Sequence, residues 1–146
     1  MIIVSQASAI DAPSFRVYGI LADYRVGHPS ILPNRWFRNI RVVSGSGIGA
    51  GTVITFDMRV AGRTQTSSAV VQEPEPGRVL TEFDVERGIL TTFTVTPTTA
   101  NRCIVTIETK LRGRTGIFGH VERVFTTAVL RRIYRQELSM LAAVVA

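Results

Sequence analysis

The sequence predicts an α+β fold: a curved seven-stranded antiparallel sheet around a long C-terminal helix, with two short helices after the first strand. Three observations lead there. Between Trp36 and Arg112 apolar residues recur in short period-two runs separated by turn residues. Short connections between consecutive strands force antiparallel neighbours. From Thr115 onward there is no proline and no glycine beyond Gly119, while Leu130, Ile133, Tyr134, Leu138 and Leu141 recur at helical spacing. Helices segregated from a run of antiparallel strands define the α+β class. With 146 residues the chain has the length of one domain, residues 1–146, and can bury a real core.

Ile2 to Ile10 reads as a first strand. Asp11 is placed to cap a helix with Pro13 in its first turn, where a missing N–H costs nothing. Phe15, Tyr18, Ile20, Leu21 and Ala22 supply that helix with an apolar stripe up to Asp23. His28-Pro29 and Leu32-Pro33 leave room for only a short second helix. Six strands are then expected, over 36–44, 52–61, 64–73, 79–85, 90–97 and 102–112. Turn residues join them, as at Gly62-Arg63, Pro74 to Gly77, Arg87-Gly88 and Thr98 to Asn101. One long terminal helix completes the chain. Seven strands have an apolar face to bury, and a sheet curved around that helix buries it. A helix lying in a curved sheet leaves space at the ends of the groove, a cavity for an apolar ligand.

The stretch "VVSGSGIGAGTV" (residues 42–53) raises a competing possibility. Gly45 to Ala50 satisfies G-x-G-x-x-G/A, a loop type that wraps a pyrophosphate. The mechanism needs a helix N-terminus directly after the loop. The next residues are instead Ile54, Phe56, Met58 and Val60 alternating with Thr55, Asp57 and Arg59, a half-buried strand. No Lys-Ser or Lys-Thr comes after the glycines, which removes the P-loop as well. The stretch is a hairpin connection, and neither a nucleotide nor any other cofactor is expected.

Composition narrows the function classes. Hydrophobic residues make up 45% and charged residues 19%, a globular balance. No apolar run approaches the roughly 18 residues of a membrane span, and the first residues lack a basic n-region. The single cysteine, Cys103, cannot form an internal disulfide, and a cytoplasmic location is the default. Net charge is +6, with sixteen Arg and one Lys. It is unevenly spread: six Arg face Glu122 alone between Arg112 and Arg135, and five acids face Arg78 between Glu73 and Glu86. These can be two solvated faces of opposite sign, or a surface for an anionic partner. One Trp and three Tyr provide no base-stacking platform, so no nucleic acid is expected.

The stretches "ASAIDAPSFRVYGILADYRVGHPSILP", "GSGIGAGTVITF", "EPEPGRVLTE", "TTFTVTP" and "GIFGHVERVFTTAVLRRIYRQELSMLA" cover nearly the whole chain. In this order they resemble the START-like SRPBCC superfamily with the helix-grip fold, specifically the bacterial polyketide cyclase/dehydrase and lipid-transport group. The resemblance implies a ligand cavity. It does not imply a reaction, because members bind lipids, sterols, polyketides or hormones, and only some cyclise or dehydrate a bound polyketide.

Parity then names the residues expected to face the cavity: Ile54, Phe56 and Met58; Thr81 and Phe83; Thr91 and Phe93; and Cys103, Val105 and Ile107. On the terminal helix Phe118, Val121 and Phe125 belong to one apolar stripe. Leu130, Ile133, Tyr134, Leu138 and Leu141 form another, roughly 150° further round. One stripe is therefore expected to face the cavity and the other the sheet, unless one serves a dimer interface. Both monomer and homodimer stay open. Glu82 and Asp84 share a strand face about 7 Å apart, but their parity, with Leu80 and Glu86, reads as an outer, wet face. His28, beside Pro29, reads as a surface histidine, and the resemblance places its region near the cavity mouth. If there is catalysis, His28 is the candidate acid or base, with Tyr24 as its hydrogen-bonding partner. His28 and His120 are isolated, without acidic ligands at matching spacing, so no metal is expected. The chain is accordingly expected to bind a hydrophobic small molecule, lipid-like or aromatic. The alternatives are a polyketide cyclase/dehydrase-type enzyme and an interaction module using the Arg-rich helix. Ordered polar groups deep in the cavity would favour the enzyme.

Overall fold

The computed structural model describes the backbone of residues 1–112 and 116–146, and side chains outside 113–121. The order of elements is β1 (Ile2–Ile10), α1 (Ser14–Ala22), α2 (Gly27–Ile31), β2 (Phe37–Ser44), β3 (Val53–Val60), β4 (Arg63–Glu75), β5 (Val79–Asp84), β6 (Ile89–Thr99), β7 (Arg102–Leu111) and α3 (Gly116–Val145). The seven strands form one sheet in the order β1-β7-β6-β5-β4-β3-β2, with every neighbouring pair antiparallel. Strand β1 reaches β7 because α1 and α2 carry the chain across to begin β2 at the opposite edge. The curved sheet holds α3 against its inner face, which is the helix-grip arrangement.

The core sits between that face and the second half of α3. Leu130, Ile133, Leu138, Leu141 and Val145 are buried there, opposite Ile2, Val4, Val95, Val105 and Ile107. Each fully buried aliphatic side chain contributes about 1.5–3 kcal/mol, so this seam anchors the helix. No helix among the described residues is long and apolar enough to cross a membrane.

One local expectation is corrected. Asp11 does not cap α1; Pro13 occupies the N-cap position and no side chain caps the helix. Asp11 instead pairs with Arg102 at 3.0 Å, on the surface. A proline in the N-cap region leaves the helix start already shaped, so the cap is dispensable.

The glycine-rich connection lies between the antiparallel strands β2 and β3, as expected, and all four of its glycines have positive φ. Gly49 shows why nothing larger is tolerated: with φ +65, an added Cβ would collide with Glu73 Oε1. The loop is a clamp on the α1–α2 connection. The Tyr24 amide donates to the Gly47 carbonyl (2.8 Å), and the Gly49 amide donates to the Ala22 carbonyl (2.9 Å). Glu73 holds the clamp from β4, accepting from the Ala50 amide at 2.7 Å and the Tyr18 hydroxyl at 2.6 Å.

Candidate functional site

A cavity of about 260 Å³ lies between the inner sheet face and the first described turns of α3. It is just below the usual range for ligand pockets, roughly 300–1,000 Å³. Phe37, Phe56, Met58, Val129 and Leu130 provide apolar wall. Phe125 stands at the rim, 52% exposed.

Register explains which strand residues reach it. Cα partners in an antiparallel ladder share a face. Ile54, Phe56 and Met58 on β3 pair with Ala69, Ser67 and Gln65 on β4, and all six line the cavity. Thr91 pairs with both Glu82 and Thr109, and these three also line it. Phe93 closes its inner end, where it pairs with Leu80 and Ile107.

Six of the residues expected at the cavity are there: Ile54, Phe56, Met58, Thr91, Phe93 and Phe125. Val105 and Ile107 face the same side as Phe93 but are packed in the core and do not line the space. Cys103 is likewise buried core. Phe118 and Val121 lie outside the residues whose side chains are described, as does His120.

Thr81 and Phe83 are corrections: neither lines the cavity, and Phe83 is 39% exposed on the outer face. The inward parity of β5 is the opposite one, carrying Leu80, Glu82 and Asp84. Polarity is a poor guide on this strand, because acids suggest a wet face. Here two acids face a cavity with polar partners, while Leu80 on the same face is fully buried.

His28 is the second correction. It is not a surface residue at a mouth; it is 1% exposed at the inner end of the cavity. The α1–α2 connection puts it there. The Asp23 side chain accepts from the Arg25 and Val26 amides, and the Asp23 carbonyl accepts from the His28 amide at 2.7 Å. Gly27 lets the chain turn in tightly, since a Cβ there would lie 2.6 Å from the Ile20 carbonyl oxygen. Tyr24 stacks on the His28 ring at 4.5 Å, and Phe93 meets it edge-on at 5.2 Å. Tyr24 is thus a stacking partner, not a hydrogen-bonding one; its hydroxyl donates to Glu82 Oε2 at 2.6 Å.

The ring's chemistry is set by its contacts. His28 Nδ1 is 2.7 Å from the Leu21 carbonyl oxygen. A carbonyl can only accept, so Nδ1 carries a hydrogen. Nε2 is left facing Glu82 Oε2 at 3.5 Å and Glu137 Oε1 at 3.7 Å. Both distances are too long for a direct hydrogen bond. Glu137 is 2% exposed, and its Oε1 has no hydrogen-bond partner. Burial, and then the Glu82 charge, push its carboxyl well above the usual range. Tyr24 is also pushed well above its ordinary value, by burial and then by Glu82, so it stays a donor. Beside these groups Thr109 shares hydrogen bonds with Thr91 (2.9 Å) and with Tyr134. Burial raises the Tyr134 phenol as well.

Glu137 went unrecognised from sequence, although a signal was present. It lies four residues after Ile133 and four before Leu141, on the apolar face of α3. An acid in the middle of a buried stripe stands out, because carboxylates are almost never fully buried unless paired.

Residues 1–146 match a family described as polyketide cyclase/dehydrase and lipid transport. Comparison with curated proteins gives no match. Among solved structures, the KanY protein superposes with a TM-score of 0.85 at 27% identity, covering 99% of this chain and 97% of its own. The Zhui aromatase/cyclase from Streptomyces sp. R1128 gives 0.71 at 18% identity, over 97% of this chain and 91% of that one. A START superfamily protein from Mycobacterium smegmatis gives 0.76 at 11% identity, over 99% and 97%. At such identities the last two likenesses concern the fold. The family match, however, spans every residue, and the chain belongs to the polyketide cyclase/dehydrase and lipid-transport family.

Proposed function

We propose that this protein binds a compact hydrophobic small molecule, aromatic or lipid-like, in the cavity between the sheet and α3. The supporting observation is a cavity walled by Phe37, Ile54, Phe56, Met58 and Val129, with polar groups gathered at its inner end. Apolar walls supply affinity through burial, and a few convergent polar groups fix orientation. A naphthalene-based fluorescent probe tests this. It should bind with roughly micromolar affinity, and Met58→Arg should abolish binding while the protein still melts cooperatively. Unchanged binding in that variant would place the probe elsewhere.

A second reading, a cyclase/dehydrase-type enzyme, is favoured by the proximity of His28 and Glu137 at the inner end of the cavity. A neutral His28 ring would offer a lone pair at Nε2, and Glu137, whose burial favours the protonated carboxyl, would offer a proton 3.7 Å away. A β-hydroxyketone lying against both groups would lose its α-proton to Nε2 as the C–O bond breaks. The departing hydroxyl would leave as water with the Glu137 proton. The imidazolium then returns its proton to the Glu137 carboxylate, and the pair is regenerated. General acid–base catalysis of this kind contributes about 10²–10⁴-fold. An aromatic β-hydroxyketone, monitored by the absorbance of its conjugated product, is the assay. His28→Gln and Glu137→Gln should each lower the rate by about that factor. Full rates in both would remove the acid–base role.

A further inference from the structure

The protein is basic, with 17 Lys and Arg against 11 Asp and Glu, yet its cavity is acidic. Among the described lining residues the charged types are Glu82, Asp84 and Glu137, together with His28, and no Lys or Arg. Asp84 is already matched: Arg87 reaches it at 3.2 Å. Glu82 and Glu137 have only His28 between them. The space therefore offers carboxyl oxygens to a ligand with no described Lys or Arg beside them. Glu137 Oε1 is buried and unpartnered, and Glu82 Oε2 accepts from Tyr24. Nδ1 of His28 spends its hydrogen on Leu21, so Nε2 is the ring atom turned to these carboxyls.

We infer that the cavity selects an apolar or aromatic ligand whose polar end donates hydrogen bonds, a hydroxyl or an ammonium, and that it rejects ligands with an anionic head. This rests on the proposed cavity binding and adds the chemistry of the head group. A hydroxyl supplies the donor that Glu137 Oε1 lacks, and an unsatisfied buried acceptor is what a fitting ligand relieves. An ammonium does the same and also balances the Glu82 carboxylate. A carboxylate or phosphate brings a further negative charge beside Glu82, in a space where charge is poorly screened and no described Lys or Arg lines the wall.

Three probes of one shape separate these cases: 2-naphthylmethanol, 2-naphthylmethylamine and 2-naphthoic acid, titrated into the protein by calorimetry at neutral pH. The alcohol and the amine should each bind at least about tenfold tighter than the acid. Glu82→Gln, which keeps side-chain shape, should narrow the gap between amine and acid by about tenfold. Acid binding as tight as that of the other two overturns the inference and leaves the cavity reading intact. A gap that Glu82→Gln leaves unnarrowed overturns the assignment to that carboxyl. Binding of none of the three removes the cavity reading, and the inference with it.

Discussion

Glu137→Met isolates the cost of a carboxyl buried without a hydrogen bond. The side chain is 2% exposed, and Oε1 has no partner. Leaving a buried polar group unsatisfied costs about 1–3 kcal/mol. Methionine has a similar length and can fill the same space without that cost. For a chain of 146 residues, each kcal/mol moves the melting temperature by about 2–4 °C. The variant should therefore melt roughly 2–12 °C higher than wild type near pH 8. The pH dependence is the sharper test. Burial and Glu82 raise the Glu137 pKa in the folded state from its ordinary 4.5. As pH rises past that value the unfolded chain gives up this proton first, so the folded state binds more protons. Stability from this group is full below the ordinary pKa and is lost as pH rises through the folded one. Glu82, His28, Tyr24 and Tyr134 are the other titratable groups around it. They remain in the variant, so the slope that disappears belongs to Glu137. Urea unfolding at about pH 5 and about pH 8 measures both effects. The gain from Glu137→Met should be larger at the higher pH. A variant less stable than wild type at both, or one with an unchanged pH slope, would refute this account.

Gly49→Ala should destabilise the protein by at least about 1–2 kcal/mol, since the position requires left-handed backbone and the new methyl would displace Glu73 from Ala50; urea unfolding reads this, and a neutral effect would contradict the clamp. Millimolar ATP, NAD or FAD should leave the wild-type melting temperature unchanged, because a ligand specific to the native state must raise it. Tyr24→Phe removes a hydrogen bond to a carboxylate and should cost about 1.5–3 kcal/mol, measured in the same way; no loss would mean that Glu82 finds another donor. On α3, Leu138→Asp places a charge at a position 3% exposed and should prevent stable folding, whereas Phe125→Asp, at 52% exposure, should stay folded and weaken probe binding at the rim. Light scattering on Phe125→Asp reads the remaining question: a wild-type dimer that this change converts to a monomer would assign Phe125 to an interface.

Local pattern was enough for the architecture. Period two from β2 to β7, short turns and the proline-free C-terminal stretch each constrain one element. Connection length then imposes antiparallel order, because a tight turn has one way to return the chain. The same alternation placed Ile54, Phe56, Met58, Thr91 and Phe93 on the cavity side, since apolar parity and inward parity coincide on β3 and β6. It failed on β5, where both faces mix apolar and polar residues. A strand's period states which residues share a face, not which face is inside. Pairing with Thr91 on β6 decides that for Glu82, and pairing with Phe93 decides it for Leu80. The His28 environment was out of reach for a related reason. Tyr24, His28, Glu82, Phe93 and Glu137 are spread over more than a hundred residues of sequence, on a connector, a helix, two strands and a second helix. Their distances exist only after the glycine clamp sets the connector against the sheet and the apolar seam sets α3 in its groove. Sequence alone determined the sheet, the helices and the apolar character of the enclosed space. Only the tertiary structure decided that the inner end of that space is acidic, because charge at a site is a sum over neighbours brought together by folding, and chain position carries no record of it.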